Sequence, residues 1–143
     1  MNYKFKKIQY DDYYHGHLDL YKQLTSIDPK KITYNDYVNF IDNLNDEHMV
    51  FVLCHDKTVI GSITLFIEQK LIHNLGKVGH IEDVVIDEKY RGQGLGKILL
   101  ENVVNYCKNM SCYKIILDCS KNNVGFYEKC NFEEKGSQMA FYF

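Results

Sequence analysis

A short glycine-rich stretch in the middle of the chain carries the residues best suited to chemistry. Gly92, Gly94 and Gly96 occupy every second position, directly after Arg91 and directly before Lys97. Glycine leaves the backbone bare and tolerates positive φ, so consecutive N–H groups can turn toward one anion. The stretch therefore predicts a binding loop for a phosphate or pyrophosphate group.

The elements on either side of this glycine loop support the same prediction. Residues 81–86 alternate along an extended apolar run that is typical of a strand. After the loop, apolar residues recur at helical spacing, namely Leu95, Ile98, Leu99, Val103, Tyr106 and Cys107. A helix N-terminus carries partial positive charge and unpaired N–H groups, so a helix that begins here strengthens the anion site.

Two familiar phosphate loops do not fit these residues. A P-loop needs four residues between its first glycine and Gly-Lys-Ser/Thr, but Gly92 and Gly96 are separated by three, and Lys97 is followed by Ile98. A dinucleotide-binding loop needs G-x-G-x-x-G after a first strand, whereas the spacing here is G-x-G-x-G in mid-chain. The remaining pattern is R-G-x-G-x-G between a strand and a helix.

Length and composition predict one globular domain spanning residues 1–143. The chain is 45% hydrophobic and 25% charged, with a formal net charge of −2, so it offers no basic field for nucleic acid. It contains no apolar run of membrane length, and its first ten residues lack the apolar core of a signal peptide. We therefore expect a cytoplasmic protein that binds neither nucleic acid nor membrane.

Cysteine and histidine positions predict neither disulfides nor a metal. The five cysteines are odd in number and scattered without a CxxC pair, so buried free thiols are expected. His15 and His17 form an HxH pair without a third ligand at useful spacing.

The order of elements predicts an α+β domain. We expect a strand over 3–9, a helix over 11–26, a helix opened by Thr33 or Asn35, and two strands around His55-Asp56-Lys57. After the central strand, glycine loop and helix, we expect a strand over 113–119, a short helix capped by Asn122 or Asn123, and an extended tail over 136–143. The order β-α-α-β-β-β-α-β-α-β implies a central mixed, mostly antiparallel sheet flanked by helices.

The glycine loop in this setting resembles the acetyl-coenzyme A loop of the GNAT superfamily of N-acetyltransferases, which also displays this order of elements. Four stretches within residues 70–132 resemble its glucosamine 6-phosphate N-acetyltransferase branch: KLIHNLGKVGHIEDVVI, RGQGLGK, CYKIILDC and NVGFYEKCNF. The resemblance implies the GNAT fold and transfer of the acetyl group of acetyl-CoA to the amine of glucosamine 6-phosphate. Direct attack in a ternary complex, without a metal, would give N-acetylglucosamine 6-phosphate for amino-sugar metabolism and UDP-N-acetylglucosamine biosynthesis.

The resemblance also implies roles for individual residues. Tyr127 takes the position of the proton donor to the departing thiolate, and a phenol with a pKa near ~10 suits sulfur. Glu82 and Asp118 are the acidic catalytic candidates and are expected to orient the sugar and its amine. The implied acetyl-CoA contacts are Val84, Val85, Ile86, Arg91, Gly92, Gln93, Gly94, Leu95, Gly96, Lys97, Asn123, Tyr127 and Lys129.

The implied sugar-phosphate contacts are Thr25, Lys70, Leu71, Ile72, His73, Glu82, Asp83, Tyr113, Lys114 and Tyr142. Lys70 and Lys114 suit a phosphate dianion. Relatives in this branch are homodimers whose C-terminal strands cross to the partner, and the apolar tail over 139–143 predicts the same here. The chain departs from the branch at Tyr142, where an arginine is usual, and at Asn131, where a glycine is usual; Asn tolerates a left-handed turn.

Two alternatives to this function remain open at this point. One is the same fold acting on a polyamine, a peptide or another small amine, which an acidic acceptor groove would favour, whereas lysine and histidine around the groove favour a sugar phosphate. The other is a non-enzymatic acyl-CoA-binding domain, against which the presence of Tyr127 argues.

Overall fold

A five-stranded sheet forms the centre of the computed structural model, which describes residues 2–143. Its strands run in the order β1-β2-β3-β4-β5. Neighbouring strands are antiparallel, apart from β4 and β5, which are parallel. The bounds are β1 Tyr3–Lys7, β2 His48–His55, β3 Thr58–Gln69, β4 Lys77–Ile86 and β5 Cys112–Leu117. The predicted α+β class is confirmed.

Within residues 2–143, four helices, one helix-like turn and five 3-10 turns surround this sheet. The helices are α1 His17–Leu20, α2 Tyr34–Asp42, α4 Leu95–Asn109 and α5 Val124–Lys129, and the helix-like turn is α3 Ile72–Leu75, in which His73 and Asn74 have left-handed backbone angles. The 3-10 turns are Tyr10–Tyr14, Tyr21–Gln23, Pro29–Lys31, Glu88–Tyr90 and Lys121–Asn123.

The α4 helix covers one face of the sheet, where the larger core lies. Its buried residues are Leu95, Leu99, Leu100, Val103 and Cys107, which repeat every three or four positions. They pack against side chains of β2, β3 and β4 that include Phe51, Leu53, Ile63, Leu65 and Ile81. The helical period predicted from the sequence is thus the period of burial, except at Ile98, which is 40% exposed, and at Tyr106, which is half-buried.

The α1 and α2 helices cover part of the opposite face. The α2 helix begins with a capping box, in which Thr33 Oγ1 accepts from the N–H of Asp36 at 3.1 Å and Asp36 Oδ2 accepts from the N–H of Thr33 at 2.9 Å. Two satellite cores lie under these helices: one joins Leu18 and Tyr37 to Val50, and the other joins Leu20 to Val52. Of the two predicted caps, Thr33 is therefore the one used.

Four local predictions were wrong. The helix expected over 11–26 is divided, because Gly16 adopts φ +88° and separates a 3-10 turn from α1. Asn123 precedes α5 with helical backbone angles, so its side chain does not cap that helix. The described tail over 133–143 contains no strand, and within this one chain nothing covers it. Cys54 and Cys107 are buried, whereas Cys119, expected to be buried, is exposed because it follows the end of β5.

Candidate active site

The glycine loop opens directly onto the N-terminus of α4. Gly92 and Gly94 have φ values of +79° and +77°, and a Cβ added to either would meet no atom within 4 Å. The first helical bond runs from the N–H of Ile98 to the carbonyl of Gly94 at 3.2 Å, so the N–H groups just before Ile98 have no helical acceptor. An open, left-handed loop with these donors fits a pyrophosphate.

Three contacts fix the loop to the rest of the protein. Arg91 Nε donates to the carbonyl of Ile86 at 3.0 Å, and Tyr3 Oη donates to Gln93 Oε1 at 3.1 Å. A Cβ added to Gly96 would lie 2.9 Å from the Phe126 ring and 3.9 Å from Ile86. Gly96 therefore allows the loop, the end of β4 and α5 to meet at one place.

The β4 and β5 strands separate next to this meeting place. β5 pairs with β4 only as far as the partners Ile81 and Leu117. On its other side β4 stays paired with β3 to its end, through a bulge that places Asp83 at φ +51°. Within residues 2–143, the stretch 82–86 therefore has one edge without a strand partner, where its backbone groups can receive an extended ligand.

Three carboxylates gather where the two strands separate. Glu82 and Asp83 lie on β4, and Asp118 follows the end of β5. Burial raises the pKa of Glu82, and the negative charges of Asp83 and Asp118 raise it further, while His80 opposes them. The site is thus locally acidic beside the free edge, which suits a group that carries or loses a proton, such as an amine.

Tyr127 lies in α5 and packs into the larger core. Its side chain is only 9% exposed, and its ring centroid lies 5.0 Å from that of Phe126 and 5.9 Å from that of Phe132. Burial, with smaller effects from Cys119 and Cys130, raises the pKa of Tyr127 to about 12. Among residues 2–143 its hydroxyl finds no hydrogen-bond partner, so its proton is available to a ligand.

A second group of charged and aromatic side chains lies toward the beginning of β4, on β3, β4 and β5. Glu68 Oε1 lies 2.9 Å from His80 Nε2 and 3.3 Å from Lys70 Nζ. The hydrogen bond from His80, followed by that from Lys70, lowers the pKa of Glu68. Lys114 Nζ lies 5.8 Å from the ring centroid of Tyr113. Of these basic groups, His80 is the one whose charge also acts on Glu82, where it lowers the pKa.

A strained turn leads from Lys70 into β4. His73, Asn74 and Leu75 have φ values of +54°, +55° and +61°, a left-handed run of non-glycine residues that is energetically costly. The His73 ring lies against Tyr113 with centroids 4.3 Å apart. The turn leaves Leu71, 88% exposed, and Ile72 open to solvent beside these groups.

The site residues predicted from the sequence fall into local groups at the glycine loop, at the carboxylates and toward the beginning of β4, and Tyr142 belongs to none of them. Tyr142 is 90% exposed on the uncovered tail. Thr25 follows the turn Tyr21–Gln23. This turn lies against the link between β4 and the glycine loop, because Gln23 Oε1 accepts a hydrogen bond from the N–H of Glu88 at 2.9 Å. Asn123 and Lys129 stand at the two ends of α5.

The sequence analysis missed His80 and Glu68. His80 stands two positions before Glu82 on one strand, and alternation along the strand could have placed the two side chains on one face. Glu68 could not be found in this way, because its place beside His80 depends on the register between β3 and β4.

Neither a metal cluster nor a membrane-spanning helix is present in residues 2–143. Residues 2–143 contain no group of three or more His, Cys, Asp and Glu side chains placed to hold a metal ion. No helix in that range is long and apolar enough to span a bilayer.

Comparison with known proteins identifies the family. The model of the acetyltransferase (GNAT) family matches residues 5–132. The chain is 41% identical over 140 residues to glucosamine 6-phosphate N-acetyltransferase 1 of Dictyostelium discoideum, covering 96% of this chain and 89% of the relative. It is 38% identical over 146 residues to the Arabidopsis thaliana glucosamine 6-phosphate N-acetyltransferase, covering 99% and 97%.

Solved structures agree with the sequence comparison. The crystal structure of glucosamine-6-phosphate N-acetyltransferase from Arabidopsis thaliana superposes with a TM-score of 0.89 at 37% identity, covering 100% of this chain and 99% of that one. The Trypanosoma brucei acetyltransferase structure gives 0.85 at 31% identity, covering 99% and 100%. The chain belongs to the GNAT family of acetyltransferases, and the predicted fold and enzyme class, an acyltransferase, are confirmed.

Proposed function

We propose that the chain transfers the acetyl group of acetyl-CoA to the amine of glucosamine 6-phosphate, giving N-acetylglucosamine 6-phosphate and CoA. The observation that carries the proposal is the convergence, at the Gly96–Phe126 contact, of an open anion loop, the free edge of β4 and the helix that bears Tyr127. The near-full-length similarity to enzymes of this name supports the choice of substrate.

The binding of acetyl-CoA follows from the loop and the free edge. The N–H groups of Gly92 to Lys97 receive the pyrophosphate, with Gln93 and Leu95 in the same loop. The backbone of Val84, Val85 and Ile86 pairs with the pantetheine arm as a further strand would. Arg91 joins the two parts through its bond to Ile86, and Asn123 and Lys129 add contacts from α5. Acetyl-CoA supplies the thioester.

The chemistry needs an aligned amine and a proton for the departing sulfur. Glu82 and Asp118 orient the sugar so that its neutral amine faces the thioester carbonyl. Attack of the amine forms the C–N bond and a tetrahedral oxyanion, which N–H groups at the β4 edge stabilise. The C–S bond breaks as this adduct collapses, and Tyr127 delivers its hydroxyl proton to the departing sulfur. The proton lost by nitrogen passes to solvent, and solvent returns one to Tyr127, so the reaction balances.

The sugar phosphate lies on the basic side of the carboxylates. Lys70 and Lys114 supply the cations, with Leu71, Ile72 and His73 from the strained turn and Tyr113 beside it. Thr25 and Asp83 complete the sugar contacts. Because Lys70 is paired with Glu68 in the structure, the phosphate has to compete with that carboxylate for the ammonium group.

We further propose a homodimer of single-domain subunits in the cytoplasm. Met139, Phe141 and Phe143 are 93%, 83% and 116% exposed, which is more apolar surface than one short segment leaves open in a monomer. A tail that crosses to the partner would bring Tyr142 to the partner's sugar-phosphate site. The free thiols suit a reducing compartment.

A polyamine acceptor is the second candidate, and the three neighbouring carboxylates Glu82, Asp83 and Asp118 favour it. A polycation would meet these negative charges, whereas Lys70 and Lys114 would repel it. A release assay for the CoA thiol, with glucosamine 6-phosphate, glucosamine and spermidine compared at equal concentration, separates the two. We expect turnover with glucosamine 6-phosphate well above the others. Preferential turnover with spermidine contradicts the proposed substrate, and binding without turnover contradicts transfer.

A further inference from the structure

A buried hydrogen-bond cluster lies beside the β3–β4 bulge. His17 is 2% exposed, and its Nδ1 lies 2.6 Å from Tyr37 Oη. Its Nε2 lies 2.9 Å from Ser62 Oγ and 3.1 Å from Tyr21 Oη, and those two oxygens are 3.0 Å apart. These four residues, called the His17 cluster below, have no role in the proposed chemistry.

The cluster ties three separate parts of the chain to one another. His17 begins α1 and Tyr21 begins the next turn, while Tyr37 comes from α2 and Ser62 from β3. Apolar side chains, among them Leu20, Val52 and Val59, pack around it. Within residues 2–143 no fully buried side-chain oxygen or nitrogen lacks a partner. Because each buried polar group needs its partner, the cluster allows one relative placement of these parts.

The cluster adjoins one end of the bulge in β4 through Ser62. Ser62 of β3 pairs with Val85 of β4, and the next pair is Thr64 with Glu82. Between these two pairs β4 has one residue more than β3, which is the bulge. Burial raises the pKa of Tyr21, the hydrogen bond with Ser62 opposes this, and the charge of the bulge residue Asp83 adds to the rise. A non-glycine residue at φ +51° persists only where its surroundings fix it.

We propose that the His17 cluster positions the free edge of β4 for acetyl transfer, with His17, Tyr21 and Ser62 as positioning residues. The inference rests on the proposed contact of Val84 to Ile86 with acetyl-CoA. The cluster does not touch the glycine loop, which holds the other end of acetyl-CoA. Its loss should therefore displace the thioester from in-line geometry and lower kcat, while the KM for acetyl-CoA changes little.

Tyr21→Phe and Tyr13→Phe form a matched pair for the test. Each removes one hydroxyl from a partly buried tyrosine, but the Tyr13 hydroxyl donates to the carbonyl of Ile32 at 2.9 Å, outside the cluster. We expect both variants to lose stability. Only Tyr21→Phe should lose about ten-fold or more in kcat, with the acetyl-CoA KM within about three-fold of wild type. Ser62→Ala should behave like Tyr21→Phe, and His17→Gln should retain more kcat than His17→Leu because it keeps a hydrogen-bonding group.

Amide hydrogen exchange over residues 82–86 gives a second readout that does not depend on activity. Exchange there should be faster in Tyr21→Phe and unchanged in Tyr13→Phe. Equal kcat in the two variants of an active enzyme, or equal exchange over 82–86, overturns the positioning role. A wild-type chain that transfers no acetyl group to glucosamine 6-phosphate contradicts the proposed function instead, and the exchange comparison still decides the role of the cluster.

Discussion

The burial of His17 makes the stability of the protein depend on pH in a calculable way. Burial lowers the pKa of His17 from 6.5 to about 4, against the opposing charge of Asp12 and with a smaller contribution from Lys6. The unfolded chain therefore binds a proton more readily than the folded one below about pH 6.5. The stabilisation is fully present above that pH and is lost as the pH falls toward about 4.

The size of the effect follows from the two pKa values. A full shift of this size corresponds to about 3 kcal/mol, of which about 2 kcal/mol is lost between about pH 7 and about pH 5. Urea unfolding at these two pH values measures the loss. Exposed carboxylates add their own dependence, so the same experiment on His17→Gln is the reference. Glutamine can keep the bond to Ser62 but cannot take up a proton.

We expect the wild type to lose about 2 kcal/mol more than His17→Gln over this interval. An equal loss in both proteins refutes the reasoning, since His17 would then not carry the proton linkage. The starting stability of the variant does not matter, because only the difference between the two pH values is compared.

Three further predictions concern the proposed site. Acetyl-CoA should raise the melting temperature of the wild type but not of Gly94→Asp, whose side chain brings strain and negative charge into the loop. The control is Gly136→Asp, at an exposed left-handed glycine, which acetyl-CoA should still protect. Unchanged protection of Gly94→Asp contradicts the loop assignment. Tyr127→Phe should keep acetyl-CoA affinity in calorimetry while single-turnover rates fall by roughly 10²–10⁴-fold, and comparable rates would exclude a donor role. Tyr142→Arg should improve the sugar-phosphate KM about ten-fold, since a charged hydrogen bond exceeds a neutral one by on the order of 1–2 kcal/mol. Light scattering should show a dimer for the wild type and for Tyr142→Arg. A fully active monomer contradicts a sugar-phosphate site shared between subunits.

The sequence predicted those parts of the site that depend on neighbouring residues. The glycine loop and the burial period of α4 are local patterns, and the structure has them where they were expected. The capping box at Thr33 is equally local. Such features need only a few consecutive positions, so one sequence is sufficient to find them.

Features that depend on pairing between distant strands could not be predicted in this way. Asp83 was expected to continue a regular strand, but the register of β3 makes it the extra residue of a bulge. Gly16 was counted inside a helix, because a single glycine does not reveal a left-handed break. The strand predicted for the tail is absent for a related reason, because a strand needs a neighbouring strand and within residues 2–143 the tail has none.

The raised pKa of Tyr127 constrains how this residue can act. The Tyr127 phenol has a pKa of about 12, whereas a thiol has a pKa of about 8.5. Proton transfer from the phenol to a thiolate, with no other proton moving, would therefore cost about 5 kcal/mol. The amine that has attacked the carbonyl, however, carries an acidic proton that has to leave. Loss of that proton offsets the cost, so in the proposed mechanism Tyr127 acts through a hydrogen bond to sulfur that becomes a transfer only as nitrogen deprotonates. In the proposed mechanism, nitrogen loses this proton beside the carboxylates that gather where β4 and β5 separate, where their mutual repulsion already raises the pKa of Glu82 after burial has done so.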